Sequence, residues 1–547
     1  MKKKIIIVAV GVVSLTLLSF TPPGDRFFEI AKNLEIFSSL FKEVNALYVD
    51  DVNPNILAKH GIDAMLNSLD PYTNYIPEEK VEDYRTLNTG QYGGIGATTV
   101  TIGHRILVNM VYENYPAYKN GLRIGDEIIK INGIELNKLK EEESNRLMKG
   151  QIGTIVKVGV KRFGHDQLID LEFKREKIKI NSVPYFGMIP SQEIGLVQLT
   201  EFTVDCSKEL KKGIQSLKDQ GAKKLIIDLR GNPGGSLNEA IEICNFFIPK
   251  TKLVVSTKGK NEQSAYETAH DAMDENIPIA ILINRGSASA SEIVAGTLQD
   301  YDRAVIIGER SYGKGLVQMQ RGFLYNSLVK ITMAKYYTPS GRCIQVLDYT
   351  HRREDGSVAS VPDSIKKEFK TTHGRKVFDG GGIEPDVALS SAEQSGLALA
   401  LVRQGFIFDF ATEYAAKHTS IAEPKNFSLR ANEYEEFVNW MKGKKLVYKS
   451  PTELALEDLE REAKRQEYLP ELKSSIGQLS QKMNEYRQND LIASKDIIKF
   501  LLEREIVARF YFEKGAAEFS LSHDNEVKQA VSVLNDASGY KKILALP

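Results

Sequence analysis

The sequence predicts a multidomain α+β chain: an α/β layered core, a small β-rich domain ahead of it, and helical regions at the N- and C-terminal ends. Three observations carry this. Apolar residues such as Ile36, Leu40, Phe41, Ile62, Met65, Leu66 and Leu69 recur at helical spacing between 25 and 88. Short alternating segments, Ile106 to Val111, Glu127 to Ile131 and Ile155 to Val160, fill 89–176 among glycines. From 177 to 389, β-runs such as Leu225 to Leu229, Ile279 to Ile283 and Val305 to Ile307 alternate with helical patterns, and beyond Ser390 the chain reads as helical throughout. At 547 residues one core cannot hold it, and roughly three or four domains are expected.

Taken in order, the chain opens with Lys2, Lys3 and Lys4 before an apolar run from Ile5 to Phe20 that stops at Thr21-Pro22-Pro23. This predicts an export signal over 1–22. The run is shorter than the ~20 residues of a spanning helix and lacks an Ala-x-Ala cleavage site, so cleaved leader and retained anchor both stay open. Asp70-Pro71 closes the helical segment that follows. Near the other end, Ser450-Pro451-Thr452-Glu453 forms a predicted capping box, with the charged stretch Glu457 to Arg487 reading as a solvated helix face.

Charge and cysteine usage narrow the partners. Lys plus Arg equals Asp plus Glu at 72 each, so no overall field draws nucleic acid. Cys206, Cys244 and Cys343 show no C-x-x-C spacing and the eight histidines no H-E-x-x-H pattern, so buried thiols, no metal and no cofactor are expected.

In the small domain, Tyr92-Gly93-Gly94-Ile95-Gly96 precedes the string Gly121 to Gly133, GLRIGDEIIKING. Successive backbone N–H groups at Gly93, Gly94, Ile95 and Gly96 make a nest for a terminal carboxylate, and the adjacent strand edge offers a place for an extended peptide. A hairpin whose glycines serve only positive φ is the alternative. The GLRIGDEIIKING string resembles the signature of a PDZ domain.

The chemistry falls in the α/β region. Ser289, in GSASASEI, opens a helical pattern whose N-terminal N–H groups favour developing negative charge, although serine there is commonly an N-cap. A serine nucleophile needs a base, and His270 lies in a polar stretch without a supporting acid pattern. Lys314, between Gly313 and Gly315, is the other candidate. A lysine acts as base only when neutral; lowering its ordinary value of ~10.4 to near neutrality costs ~4 kcal/mol, which an apolar pocket can impose.

GSASASEI, QDY and IIGERSYGKGLVQ together resemble the tail-specific, or carboxyl-terminal processing, proteases of peptidase family S41. LDPYTNYIP, YYTPSGRCIQ and GGIEPDV follow the same order, so the likeness spans roughly Ala46 to Val387. The resemblance implies a ClpP/crotonase-like core over 177–389, with Ser289 as nucleophile, Lys314 as general base and Gln318 orienting the lysine. It implies oxyanion donors at the Gly235 and Ala290 N–H groups, and supporting places for Glu292 and Asp300. It further implies a serine endopeptidase that takes protein substrates by flexible C-terminal tails through its PDZ domain. Tail binding is expected to move that domain and complete the site. The expected location is the periplasm, free or anchored in the inner membrane, with self-association open. A PDZ-based binding scaffold with an inactive protease-like domain is the alternative function.

Overall fold

The computed structural model describes residues 24–136, 141–352, 358–360, 362–389, 395–487 and 490–546, so the predicted leader at 1–22 lies outside the described residues. No described helix is long and apolar enough to cross a membrane. The chain forms two compact units, divided between Tyr75 and Ile76. The first contains helices α1 (Gly24–Leu47) and α2 (Pro54–Asn67), the latter capped by Asn53, whose side chain accepts from the Asn55 N–H at 3.0 Å. The Asp70 of LDPYT turns the chain after α2: its Oδ1 accepts from the N–H groups of Tyr72 and Thr73, both at 2.8 Å.

The second unit begins with α3 (Glu78–Thr89) and the short strand β1 (Gln91–Gly94). Strands β2 (Ala97–Ile102), β3 (Arg105–Val111), β4 (Glu127–Ile131), β5 (Ile155–Lys161) and β6 (Ile169–Lys174) then pair in chain order, which leaves β2 at the sheet edge. Three of these are the segments the alternation predicts. Strand β7 (Glu176–Lys179) returns antiparallel to β1.

The core sheet contains β8 (Tyr185–Met188), β9 (Ile194–Gln198), β10 (Lys224–Asp228), β13 (Ile279–Ile283), β14 (Val305–Gly308) and β17 (Val387–Ala388), in that spatial order; only the first pair is antiparallel. Helices α4 (Cys206–Asp219), α5 (Leu237–Asn245) and α6 (Ala290–Asp300) connect its strands. Between them run β11 (Leu253–Gly259) and β12 (Gln263–Glu267), which join a second sheet with the hairpin β15 (Leu316–Gly322) and β16 (Leu328–Tyr337).

Strand register sorts the core residues by face. Val197, Ile227, Ile281 and Ile306 stand in one row across the sheet and pack with α4, α5 and α6. The adjacent row, Leu196, Ile226, Ala280 and Val305, points the other way. Its cover comes from the far end of the sequence.

That end comprises α7 (Gly396–Arg403), α8 (Phe406–Lys417), α9 (Ala431–Met441), α10 (Pro451–Arg465), α11 (Leu469–Arg487), α12 (Lys495–His523), α13 (Asn525–Asn535) and α14 (Ala537–Ile543). Ser450 caps α10 as its spacing predicts, accepting from the Glu453 N–H at 3.2 Å while Glu453 accepts from the Ser450 N–H at 2.6 Å. Val527, Ala530, Val533, Leu534, Tyr540 and Leu544 lie on the second face of the core sheet. The Tyr540 hydroxyl accepts from the Ile279 N–H at 2.9 Å and donates to its carbonyl at 3.1 Å. So the core is a three-layer α/β/α sandwich whose outer layer is C-terminal.

The same helices hold the small domain. Arg105 makes a two-pronged pair with Asp409 of α8, at 3.1 and 2.9 Å. Helix α12 breaks at Phe512, where φ 54 and ψ −153 leave the helical region. The Phe512 ring meets Tyr118 of the small domain edge-on, centroids 5.4 Å apart.

Candidate active site

Loops leaving the C-terminal ends of β10, β13 and β14 converge, as parallel sheets dictate, on a cavity of ≈ 480 Å³ lined by Gly234, Gly235, Ser289, Ala290, Lys314 and Gln318 among others. Ser289 precedes α6, a helix buried along its whole length, with φ 56 and ψ −111. Such a backbone costs a non-glycine residue ~1–3 kcal/mol and persists only where surroundings impose it. The Ser289 N–H donates to Glu292 Oε2 at 2.8 Å, and the Ser289 carbonyl accepts from the Glu292 and Ile293 N–H groups, both at 2.9 Å, and from the Tyr336 hydroxyl at 3.3 Å. Ser289 and Glu292 stand as the two members of a capping box, the Glu292 side chain taking the Ser289 N–H. The Glu292 N–H donates to the Ser289 carbonyl at 2.9 Å, and Ser289 lines the cavity.

Gly234 and Gly235 pass directly beneath this turn. A Cβ on Gly234 would stand 2.6 Å from the Ala288 carbonyl and 2.8 Å from Ser289 Cβ, so glycine is required for the approach. Gly235 forms a parallel bridge with Phe202 in which Phe202 bonds the Gly234 carbonyl at 3.0 Å and the Ser236 N–H at 2.8 Å. That geometry turns the N–H of Gly235 itself away from Phe202. Among the described residues, neither the Gly235 nor the Ala290 N–H finds a backbone acceptor. Buried Asn232 sets this loop: its side chain donates to the Leu199 carbonyl at 2.8 Å and accepts from the Gly234 N–H at 2.9 Å, while its own carbonyl takes the Ala288 N–H at 3.0 Å and the Ser291 hydroxyl at 2.9 Å.

Lys314 is half-buried in the cavity wall. Its backbone N–H donates to Glu292 Oε2 at 2.9 Å, the oxygen that also holds the Ser289 N–H at 2.8 Å. The two backbone nitrogens therefore lie no further apart than the sum of those distances. Glu292 Oε1 accepts from the Ser311 hydroxyl at 2.5 Å and the Gly313 N–H at 2.6 Å. One fully buried carboxylate thus ties the serine turn to the lysine loop. Burial pushes the Glu292 carboxyl up from its usual range, and the Ser311 hydroxyl and the Lys314, Gly313 and Ser289 N–H groups pull against it. Burial also holds the Tyr336 phenol well above its ordinary value, so it stays a donor to Ser289. Gln318, on β15, lines the cavity, and its amide donates to Thr332 Oγ1 across the hairpin at 3.4 Å.

Most of the chain matches known families. Residues 193–351 match the model of peptidase family S41, 93–173 that of the PDZ domain, and 397–534 that of the probable PDZ-protease, C-terminal helical domain. Over 388 residues the chain is 32% identical to a probable CtpA-like serine protease of Staphylococcus aureus (strain MRSA252), covering 70% of this chain and 76% of the relative. The chain belongs to peptidase family S41. It is also 35% identical over 359 residues to a carboxy-terminal-processing protease of Bartonella bacilliformis, covering 64% of this chain and 82% of that one. A solved structure, the photosystem II D1 C-terminal processing protease, matches at 23% identity and a TM-score of 0.35, over 68% of this chain and 96% of that one. Membership makes the chain a serine peptidase.

In this S41 peptidase the remaining predicted residues separate. Asp300 ends α6, eleven residues and ~16 Å from Ser289. It forms a buried ion pair with Arg342 at 2.9 Å and accepts the Ser340 N–H at 2.9 Å, a structural post at the far end of the helix. His270 is exposed and absent from the cavity lining, so the histidine-based triad finds no support in the geometry. In the PDZ domain, Gly93 and Gly94 pair with Lys177 and Glu176 in the β1–β7 ladder. The Ile95 side chain is buried in the PDZ core. Gly96 alone of the four predicted residues has positive φ, +80, at the entry to edge strand β2. Cys206 and Cys244 are buried free thiols, and Cys343 is half-buried. Sequence reading missed Tyr336 as the brace on Ser289 and Glu292 as the common acceptor; the Ser-x-x-Glu spacing was the signal that could have revealed the latter.

Proposed function

We propose that this S41 peptidase cleaves exported proteins with a Ser289–Lys314 pair and selects them by their C-terminal tails through its PDZ domain. One observation carries the reading: Ser289, strained at the head of a buried helix, shares a cavity with Lys314 and with the Gly235 loop. In this reading the neutral Lys314 amine accepts the Ser289 Oγ proton as Oγ attacks the peptide carbonyl. The tetrahedral oxyanion is met by the Gly235 and Ala290 N–H groups, donors of a kind typically contributing ~3 kcal/mol each. Collapse breaks the C–N bond, the lysine ammonium returns its proton to the leaving amine, and water hydrolyses the ester by the same route in reverse. Gln318 supports the lysine loop from β15.

For substrate capture, the outer edge of β2 takes the tail as an added strand, with the terminal carboxylate at the Gly96 turn. The basic and apolar run at 1–20 supports work outside the cytoplasm, in the periplasm or held to the inner membrane, and also supports membrane attachment. Product analysis of a disordered protein such as casein, incubated with wild type, Ser289→Ala and Lys314→Ala, tests the mechanism. Both variants are expected to yield no fragments, and continued cleavage by either removes that residue from the proton-transfer pair. Blocking the C-terminal carboxylate of a tail peptide as its amide is expected to weaken PDZ binding; equal binding removes tail selection.

A further inference from the structure

Resting on the assignment of the Gly235 loop as oxyanion donor, we infer that Asp524 and Glu526, from the C-terminal helices, position that loop through Arg230. The outer helical layer is on this account part of the catalytic apparatus as well as a cover for the sheet.

Arg230 leaves β10 two residues before Asn232. Its Nε and Nη2 donate to the two oxygens of Asp228 at 2.9 and 2.8 Å, gripping the strand it has just left. Its Nη1 turns the opposite way, donating to Glu526 Oε2 at 2.5 Å and lying 2.7 Å from Asp524 Oδ2. Side-chain exposure is 15% for Arg230, 1% for Asp228, 20% for Asp524 and 18% for Glu526, so water screens these pairs little. Burial alone would lower the Arg230 pKa, but Asp228, Asp524 and Glu526 outweigh it and keep the guanidinium charged. A planar fork is needed to serve acids on two sides at once, which lysine cannot reproduce.

Each end of this bridge is fixed. Asp524 spends its other oxygen capping α13, accepting from the Glu526 N–H at 2.8 Å and the Val527 N–H at 3.1 Å. On the loop side, the Gly231 N–H donates to Asn284 Oδ1 at 2.9 Å, the same oxygen that takes the Gly286 N–H at 3.0 Å. Asn232 then carries the Gly234 N–H on its side chain at 2.9 Å. Every residue from Arg230 to Asn232 is thus tied before the chain reaches Gly235. Releasing Arg230 from α13 frees the first of these ties. Oxyanion donors act over 2.7–3.1 Å, and a misplacement of ~1 Å can cost ~100-fold in rate.

The test uses the full chain, casein hydrolysis, and a peptide aldehyde built on the cleavage site found in casein, whose adduct with Ser289 places an oxygen at the oxyanion position. Asp524→Asn and Glu526→Gln are combined because asparagine caps helices as well as aspartate, so α13 keeps its cap. The double variant is expected to lose ~10- to 100-fold in kcat with KM changed less than ~2-fold, and aldehyde affinity is expected to fall by the same factor as kcat/KM. Arg230→Lys should fall between it and wild type. Ser450→Ala, which weakens another helix cap of the same region, should leave aldehyde affinity unchanged. Unchanged kcat and aldehyde affinity in the double variant overturn the inference. So does an equal loss in Ser450→Ala, which would mean that any loosening of the helical layer suffices. Cleavage that survives Ser289→Ala instead overturns the site assignment itself, so the two failures are told apart.

Discussion

Replacing Glu292 by glutamine isolates the carboxylate that joins the nucleophile turn to the lysine loop. Glutamine fits the same volume but keeps one acceptor oxygen, so its amide group must face either Ser311 Oγ and the Gly313 N–H, or the Ser289 and Lys314 N–H groups. Two buried donors then lose their acceptor at ~1–3 kcal/mol each, about 2–6 kcal/mol in all. Part of this is recovered as the Ser289 backbone relaxes from φ 56, a strain of ~1–3 kcal/mol whose release carries the hydroxyl away from the lysine loop. Glu292→Gln is therefore expected to lower kcat by ~100-fold or more with KM nearly unchanged, together with a lower thermal midpoint. The decisive assay is single-turnover cleavage below both midpoints, with the folded fraction counted by circular dichroism. A folded variant that retains kcat within about threefold of wild type would refute the idea that this acceptor holds the pair together.

Gly234→Ala should fold yet lose ~100-fold in kcat/KM, because its Cβ would meet the Ala288 carbonyl at 2.6 Å and displace the serine turn; near-normal steady-state kinetics would contradict this. Tyr540→Phe orphans the buried Ile279 N–H and should cost ~1–3 kcal/mol in urea unfolding while casein turnover at 25 °C is unchanged. Burial would raise the Asp274 carboxyl, but Lys218, 2.6 Å away, and the Asn276 and Ile277 N–H groups outweigh it and hold its pKa below the usual value. A lowered folded-state pKa means that the ionised form stabilises the fold above the ordinary carboxylate range, and that this contribution fades as pH falls through the lowered value. Urea midpoints of wild type and Asp274→Asn should consequently differ at pH ~7 and converge once the pH falls below the lowered value; a gap that persists in strong acid would contradict the assignment.

The core strands were legible because their residues are apolar without alternation. Ile279-Ala280-Ile281-Leu282-Ile283 has no polar face, which in a parallel sheet demands cover on both sides. The sequence raises that demand without naming what meets it. Val527, Ala530, Val533 and Leu534 mark one face of a helix, yet nothing local says that the face belongs against Ile226 and Leu282, some 250 to 300 residues earlier. Ser289 was visible as a serine opening a helix, whereas the way Glu292 ties its turn to the lysine loop shows only in the observed hydrogen bonds. Composition does not tell which glycines of the Gly93–Gly96 cluster need positive φ: Gly96 has it, whereas Gly93 sits in a ladder.

Sealing the sheet with α13 and α14 also imposes an order on biosynthesis. Until residues 525–543 have been made, Leu196, Ile226, Ala280, Leu282, Val305 and Ile307 face water, and the strands that carry the serine and lysine loops lack one of their two supports. The strands that carry the serine and lysine loops thus gain their second support only once residues 525–543 have been made.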